Sequence, residues 1–205
     1  MRLLVEQNPH IPNRQIVSNN KSKKIGSMLA DGAKKLESAG VDFIVMPCNT
    51  AHMFSDDIKE EINIPFIHIA EETINEITEY FPDKVSIGIM ATTACINAKI
   101  YQEDLNHKGK TCLLPDNHYQ DECMKGIFSI KEGSNLQDPS VTLSLVANHL
   151  VDKGAEIIIA GCTEIPLVLK DKDLEVPLVS STEVLAIKTI EYANHLTIKR
   201  NYNKE

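Results

Sequence analysis

Two cysteines occupy equivalent places in the chain, each directly after an apolar run. Cys48 follows Val41–Pro47, and Cys162 follows Glu156–Gly161. The apolar runs predict buried strands, and the residues after each thiol predict the start of a helix. Ligands of open α/β sheets bind at the carboxyl ends of strands, so both thiols are expected at a binding edge. A helix N-terminus also lowers the pKa of a nearby thiol and favours the thiolate.

A symmetric pair of thiols suits the inversion of a tetrahedral carbon. Such a reaction needs a base on one face of the carbon and an acid on the other. One thiolate removes the α-proton, the opposite thiol returns a proton, and the roles exchange in the reverse direction. The alternative is that Cys48 and Cys162 are two small buried apolar residues. Their matched positions in an internal repeat, described below, favour the catalytic interpretation.

The number and spacing of the cysteines indicate their redox state and the cellular compartment. The 205 residues include five cysteines, an odd number, and none of them lies in a Cys-x-x-Cys pair. The residues Met1–Val5 are followed at once by polar residues, which does not fit a secretory signal. These features predict free thiols in the reducing cytoplasm. No Cys/His cluster has the spacing of metal ligands, so we expect no metal.

Charge narrows the class of partner. The chain has 21 Lys and Arg against 29 Asp and Glu, which gives a formal net charge of −8. An acidic surface disfavours nonspecific binding to nucleic acids or anionic membranes. The longest apolar runs are also far too short to cross a bilayer. We therefore expect a small-molecule ligand and neither a nucleic-acid nor a membrane partner.

Short apolar runs alternate with helical patterns along the chain. This alternation predicts an α/β fold with parallel sheets covered on both faces. The predicted strands are Arg2–Gln7, Val41–Pro47, Ile64–Ile67, Val85–Met90, Thr111–Leu114, Glu156–Ala160 and Leu178–Ser180. The predicted helices are Ser22–Ser38, Glu71–Tyr80, Ala94–Asn106, His118–Phe128, Val141–Lys153 and Thr182–His195.

An internal repeat organises these elements. Leu29–Thr50 aligns with Leu143–Glu164, so that the glycines that end two helices, and then the two cysteines, fall opposite each other. The repeat predicts two pseudo-symmetric, Rossmann- or flavodoxin-like halves with the site between them. We expect a first half over residues 1–84 and a second over 85–181. The C-terminal helix, 182–197, is expected to pack back on the first half.

The repeat also exposes a gap in the first half. In the second half the strand Val85–Met90 precedes Thr111–Leu114, whereas nothing corresponding to Val85–Met90 precedes Arg2–Gln7. We therefore expect the first half to lack one strand with its loop and helix. A doubly wound sheet commonly places such a strand centrally.

Three motifs in this chain resemble those of one enzyme family. Met46–His52 (Met-Pro-Cys-Asn-Thr-Ala-His) and Ala160–Pro166 (Ala-Gly-Cys-Thr-Glu-Ile-Pro) resemble the two signatures of the cofactor-independent aspartate/glutamate racemases. Asn8–Arg14 (Asn-Pro-His-Ile-Pro-Asn-Arg) resembles a substrate-side motif of the aspartate racemase branch. The resemblance runs from about Arg2 to about Ala193. It implies two pseudo-symmetric α/β domains, an active site between them, a homodimer, no cofactor, and an amino-acid substrate, most closely aspartate.

The resemblance also implies roles for individual residues. Cys48 and Cys162 match the two catalytic thiols. The residues that match groups holding the α-carboxylate and the amino group are Asn49, Thr50 and Thr163. The first two could instead simply cap a helix, and the two uses are compatible.

Two cations match the residues that grip the side-chain carboxylate in aspartate racemases. These are Arg14 and Lys131, for which a solvated surface position is the alternative. Glu164 follows the second thiol as the motif requires, and Thr92 and Thr93 stand in a loop expected to face the substrate.

The chain departs from the family pattern in two places. The strand and Gly-Gly-x-Gly-Pro loop that usually open the family have no match, which coincides with the gap in the repeat. Ala94 and Cys95 stand where Gly-Thr is more common, which leaves the side-chain preference open and adds Cys95 as a candidate third thiol near the site.

Several other functions stay open at this point. Within the same superfamily the chain could be a glutamate or broad-specificity racemase, a hydantoin racemase or a maleate isomerase. A hydantoin has no second carboxylate, so the pair Arg14 and Lys131 argues against that substrate. A non-enzymatic alternative is an inactive, N-terminally truncated remnant.

Overall fold

The computed structural model describes residues 2–14, 19–133 and 135–202. Within these residues the strands form two parallel sheets, one of two strands and one of four. The strands are β1 (Ile44–Val45), β2 (Phe66–Ile67), β3 (Ser86–Ala91), β4 (Thr111–Leu113), β5 (Ile157–Gly161) and β6 (Leu178–Ser180). The smaller sheet pairs β1 with β2, and the larger has the order β4-β3-β5-β6. The predicted α/β class with parallel sheets is confirmed.

Helices connect these strands. The α-helices are α1 (Asn19–Ser38), α2 (Ser55–Lys59), α3 (Ile69–Tyr80), α4 (Thr93–Asn97), α5 (Gln102–His107), α6 (Asn117–Lys131), α7 (Gln137–Asp152), α8 (Ile165–Val168) and α9 (Ser181–Tyr202). Two 3₁₀ helices cover Asn49–Phe54 and Asp171–Asp173. In the described part of the chain no helix is long and apolar enough to cross a membrane.

The central strand β5 of the four-stranded sheet is buried on both faces, which explains its unbroken apolar sequence. Ile157 and Ile159 pack into a cluster with residues of α3 and α5 on one face. Ile158 and Ala160 pack into a second cluster with α6 and α7 on the other. Because neighbouring residues of a strand point to opposite faces, a strand covered on both sides must be apolar throughout.

Two local features of the repeat seen in the sequence recur at aligned positions in the structure. The Ile44 N–H donates to the Pro65 carbonyl, and the Ile158 N–H donates to the Pro177 carbonyl, at 2.9 Å in each case. The matched glycines that end helices in the two halves both adopt a left-handed backbone, with φ of 80° at Gly40 and 94° at Gly154. Such a φ is strained for any residue with a Cβ atom, which accounts for glycine at these turns.

The predicted strand Arg2–Gln7 is wrong. Residues 2–8 have no regular secondary structure, and the side chains of Leu3 and Val5 are 70% and 74% exposed. A strand needs a neighbour for its backbone hydrogen bonds. Here a cleft of about 390 Å³, lined by Arg2–Leu4 on one side and Phe43–Val45 on the other, separates the segment from β1.

This cleft lies where the repeat places the counterpart of β3. In the second half β3 is paired on one side with β4 and on the other with β5. By the repeat, Arg2–Leu4 corresponds to β4 and Phe43–Val45 to part of β5. An open groove therefore lies between two segments of backbone at the position where the repeat predicts a further strand.

Two further expectations on the elements need correction. The predicted helix Ala94–Asn106 is two helices, α4 and α5, because Lys99 adopts a left-handed φ of 55° and turns the chain between them. The predicted strand Val41–Pro47 shortens to β1.

At the other end of the chain, α9 packs against α3. The Lys188 Nζ lies 3.4 Å from a Glu76 carboxylate oxygen across that contact.

Candidate active site

A cavity of about 120 Å³ brings together residues from distant parts of the sequence. It lies where the segments after β1 and β5 meet the residues before α1 and the end of α6. Its lining is formed by Asn13, Arg14, Pro47, Cys48, Asn49, Thr50, Lys131, Cys162, Thr163 and Glu164. Eight of the ten residues predicted from the sequence are among them, including both thiols.

The first thiol belongs to the short link between β1 and the 3₁₀ helix. Cys48 has an extended backbone and is half-buried. The Ile69 N–H donates to Nε2 of His52 at 3.2 Å, so the ring hydrogen of His52 lies on Nδ1. That Nδ1 donates to the Cys48 carbonyl oxygen at 2.9 Å. His52 therefore ties the backbone of the first thiol to the start of α3.

Both ring nitrogens of His52 are used in hydrogen bonds to the backbone, and burial favours the uncharged form of the ring. Burial lowers the pKa of His52 to about 3, with a smaller contribution from neighbouring His68. Burial likewise lowers the pKa of His68 to about 4. The two ring centroids are 4.4 Å apart in an edge-to-face arrangement. His68 also caps α3 by accepting a hydrogen bond from the Glu71 N–H at 3.4 Å.

The second thiol is more enclosed and carries its proton. Cys162 is 6% exposed, and its Sγ–H donates to Oε2 of Glu164 at 2.9 Å. Burial is the main cause that raises the pKa of Cys162, and the Glu164 carboxylate raises it further. The expected lowering of the pKa by a helix N-terminus is wrong for this thiol. The helix that follows, α8, has four residues, too few to offset burial beside a carboxylate.

Charged groups converge on the second thiol. Thr163 Oγ1 donates to the same Glu164 oxygen at 3.0 Å. The Lys131 Nζ lies 3.7 Å from the other Glu164 oxygen, with the side chain of Lys131 35% exposed. Arg14 reaches the cavity from the segment before α1, where its Nη1 donates to the Pro12 carbonyl at 3.3 Å. Two cations and one carboxylate therefore border the cavity that the thiols share.

The predicted threonines are placed differently from one another. The Thr50 and Thr92 hydroxyls are hydrogen bonded to each other at 2.8 Å, and both side chains are buried. Thr92 also caps α4 by accepting from the Cys95 N–H at 3.2 Å. Thr92 and exposed Thr93 lie outside the cavity lining, and Thr92 connects to it through Thr50. The sulfur of Cys95 is buried, with a pKa raised to about 12 by burial.

Two residues that the sequence did not suggest hold the side chain of Asn49, which lines the cavity. Tyr101, 1% exposed, donates its hydroxyl hydrogen to Oδ1 of Asn49. The Asn49 Nδ2 donates to Ser181 Oγ at 3.0 Å, and Ser181 Oγ donates to the Ala160 carbonyl at 2.9 Å. Ser181 directly follows β6, so the strand-end rule that selected the thiols would have found it. Tyr101 carries no such signal.

Ligands for a metal ion do not come together in the described residues. Over residues 2–14, 19–133 and 135–202, His, Cys, Asp and Glu side chains nowhere form a group of three or more able to hold one. The polar groups of the cavity are two thiols, two cations, a carboxylate, two amides and two hydroxyls. This set can hold a carboxylate-bearing molecule and transfer protons on either side of it.

Comparison with known proteins agrees with this geometry. Residues 1–189 match the family described as Asp/Glu/Hydantoin racemase. The chain is 35% identical over 162 residues to the broad specificity amino-acid racemase RacX of Bacillus subtilis, covering 79% of this chain and 69% of that protein. It is 30% identical over 158 residues to the glutamate racemase of Aquifex pyrophilus, covering 74% of this chain and 59% of that protein.

A solved structure gives the same result. The aspartate racemase homologue PH1733 from Pyrococcus horikoshii superposes with a TM-score of 0.73 at 28% identity. The match covers 86% of this chain and 77% of that one. The chain therefore belongs to the Asp/Glu/hydantoin racemase family.

Proposed function

We propose that this family member is a cofactor-independent amino-acid racemase that interconverts L- and D-aspartate by proton transfer between Cys48 and Cys162. Membership of the family supports a racemase, and hence an isomerase. The observation that carries the proposal is one cavity lined by both thiols, by Arg14 and by Lys131. Two cations at one cavity suit a substrate with two carboxylates.

In the proposed complex, Arg14 and Lys131 bind the side-chain carboxylate of the substrate. Asn49, Thr50 and Thr163 supply hydrogen bonds to the α-carboxylate and the amino group. These interactions orient Cα between the two sulfurs. A charge-assisted hydrogen bond to a carboxylate contributes about 1.5–3 kcal/mol, so each cation is a substantial part of the binding.

The chemical step moves one proton off Cα and another onto it. The Cys48 thiolate takes the α-proton, and the electron pair of the broken C–H bond is delocalised into the α-carboxylate. The Cys162 S–H then gives its proton to the opposite face of Cα, which leaves Cys48 as thiol and Cys162 as thiolate. The raised pKa of Cys162 and its hydrogen bond to Glu164 support its role as the acid in this direction. In the opposite direction the two sulfurs exchange roles, and Glu164 is the nearest group able to accept the Cys162 proton.

The substrate is the part of the proposal with close alternatives. The relatives named above include a broad specificity amino-acid racemase and a glutamate racemase. A glutamate or broad-specificity activity uses the same thiols and differs in how the side chain is held. The pair of cations favours an acidic amino acid over a neutral one. A homodimer stays a prediction from the resemblance, and gel filtration tests it. A cytoplasmic location stays a prediction from the free cysteines.

The test is inversion measured for a panel of amino acids. Both enantiomers of aspartate, glutamate, alanine and methionine are incubated with the purified chain, and optical rotation is followed. Aspartate should be inverted fastest, and Cys48→Ser and Cys162→Ser should each abolish inversion. Near-normal inversion by either variant contradicts the two-thiol mechanism. Equal rates for aspartate and alanine contradict the proposed substrate.

A further inference from the structure

We infer that Tyr101 and Ser181 are positioning residues for the racemisation: they fix the side-chain amide of Asn49 and join the segment that carries Cys48 to the strand that leads to Cys162. The inference rests on the proposed function. It goes beyond it because neither residue lines the cavity, and neither was expected from the sequence.

A single chain of hydrogen bonds links the two thiol-bearing segments. It runs from the Tyr101 hydroxyl to Asn49 Oδ1, from Asn49 Nδ2 to Ser181 Oγ at 3.0 Å, and from Ser181 Oγ to the Ala160 carbonyl at 2.9 Å. Asn49 directly follows Cys48, and Ala160 precedes Cys162 by two residues. Each thiol therefore lies within two residues of one end of the Asn49–Ser181–Ala160 link.

The chain of donors fixes which way the amide points. The hydroxyl hydrogen of Ser181 is used on the Ala160 carbonyl, so Ser181 must accept at its oxygen, and the Asn49 NH₂ group must face it. The opposite side of the amide, Oδ1, then accepts from Tyr101. Burial raises the pKa of the Tyr101 phenol, which keeps it protonated and able to donate.

Burial makes this arrangement rigid. Asn49 is 2% exposed and Ser181 is 0% exposed, so no bulk water can replace a lost partner. Leaving a buried polar atom unsatisfied is more unfavourable than losing an exposed hydrogen bond. The Thr50–Thr92 pair, at 2.8 Å, forms a second buried link between the residues after Cys48 and the loop after β3.

The fixed amide leaves one hydrogen for the substrate. An Asn amide has two donor hydrogens, and Ser181 uses one of them. Asn49 lines the cavity, so its second hydrogen is the one available to a bound α-carboxylate. Reacting atoms must approach to about 3–3.5 Å, and a displacement of about 1 Å can lower a rate by about a hundred-fold. A rotated amide would displace Cα relative to both sulfurs.

The experiment removes one hydroxyl and compares inversion with proton exchange. Tyr101→Phe keeps the ring and deletes the donor to Asn49. Tyr119→Phe is the matched control, because Tyr119 stacks on His149 at a centroid distance of 3.8 Å, away from the cavity. Each protein is incubated with L-aspartate in D₂O. Inversion is followed by optical rotation, and exchange of the α-proton with retention of configuration by NMR after separation of the enantiomers.

Tyr101→Phe should lower kcat for inversion by about ten- to a hundred-fold. The ratio of exchange with retention to inversion should rise, because one sulfur still removes the proton while delivery from the other is impaired. The control should match wild type in both quantities. A kcat within about twofold of wild type overturns the inference. So does a lower kcat at an unchanged ratio, since fewer folded molecules lower the rate without altering the ratio. Ser181→Ala, which deletes the next link, should raise the ratio as well and replaces Tyr101→Phe if that variant does not fold.

A measurement without substrate separates this inference from the proposed function. NMR of ¹⁵N-labelled protein should show slow solvent exchange of the Asn49 side-chain amide in wild type. Exchange should be about ten-fold faster in Tyr101→Phe. A wild type that inverts no amino acid, combined with this loss of protection, would refute the function and retain the network. Equal protection in both proteins would refute the network whatever the activity.

Discussion

Acidification should destabilise the support of the first thiol, because His52 and His68 fold as uncharged rings. Both rings have an ordinary pKa of 6.5, lowered on folding to about 3 for His52 and about 4 for His68, chiefly by burial. His52 holds the Cys48 carbonyl, and His68 caps α3. Protonation of His52 would also remove the lone pair that accepts from the Ile69 N–H.

The sign and size of the effect follow from proton linkage. Below pH 6.5 both rings are protonated in the unfolded chain but not in the folded chain. The unfolded state therefore binds more protons, and the free energy of unfolding decreases as the pH is lowered. A pH of 5 lies 1.5 units below the ordinary pKa of 6.5 that each ring has in the unfolded chain. Each ring therefore lowers the free energy of unfolding by about 2 kcal/mol at this pH. The two rings together account for about 4 kcal/mol, a large share of the roughly 5–15 kcal/mol that stabilises a typical domain. The loss continues to about pH 4 for His68 and to about pH 3 for His52.

Urea denaturation at pH 7.5 and pH 5.0 measures this loss. Wild type should lose about 4 kcal/mol of unfolding free energy between the two, and His52→Gln or His68→Asn about 2 kcal/mol. The glutamine retains a donor for the Cys48 carbonyl, and asparagine is a good N-cap. His107→Gln is the control, because the side chain of His107 is 80% exposed. If the double variant of His52 and His68 loses as much stability as wild type, the two rings are not the cause and the reasoning fails.

Two further predictions concern the cavity itself. Arg14→Ala or Lys131→Ala should lower kcat/KM for aspartate by roughly ten- to a hundred-fold, because about 1.5–3 kcal/mol of binding is lost. The kcat/KM for alanine should fall less. Equal losses for both substrates would contradict recognition of the side-chain carboxylate. Iodoacetamide should alkylate half-buried Cys48 before buried Cys95 and Cys123, and aspartate should protect Cys48, as measured by mass spectrometry. Alkylation of Cys95 first, or no protection by aspartate, would contradict the assigned cavity.

The sequence predicted most of what is local or repeated. β5 is recognisable because a strand covered on both faces must be apolar throughout. Cys48 and Cys162 were found because a repeat makes two weak signals support each other. Most residues that line the cavity were found through short motifs whose members are neighbours both in sequence and in space, and Lys131 was found through the family resemblance.

The expectations that failed depend on neighbours that no local pattern encodes. Arg2–Gln7 has the composition of a strand, but a groove stands where its partner would lie. Cys162 precedes a helix, yet its pKa is set by burial and by Glu164, which are properties of the folded site. Tyr101 is distant in sequence from Asn49, and no pattern in its own segment predicts that hydrogen bond.

The same contrast applies to the thiols. The repeat makes their backbone positions equivalent, but their surroundings differ: Cys48 is half-buried beside a neutral histidine, and Cys162 is buried and hydrogen bonded to a carboxylate. This asymmetry is compatible with racemisation. Enantiomers have equal free energies in water, so kcat/KM must be the same in both directions however the sulfurs differ. What the surroundings can change is the resting protonation state, and with it kcat and KM separately. The repeat thus places a thiol directly after two equivalent strands, and the different residues around each sulfur give the two thiols unequal surroundings before the substrate binds.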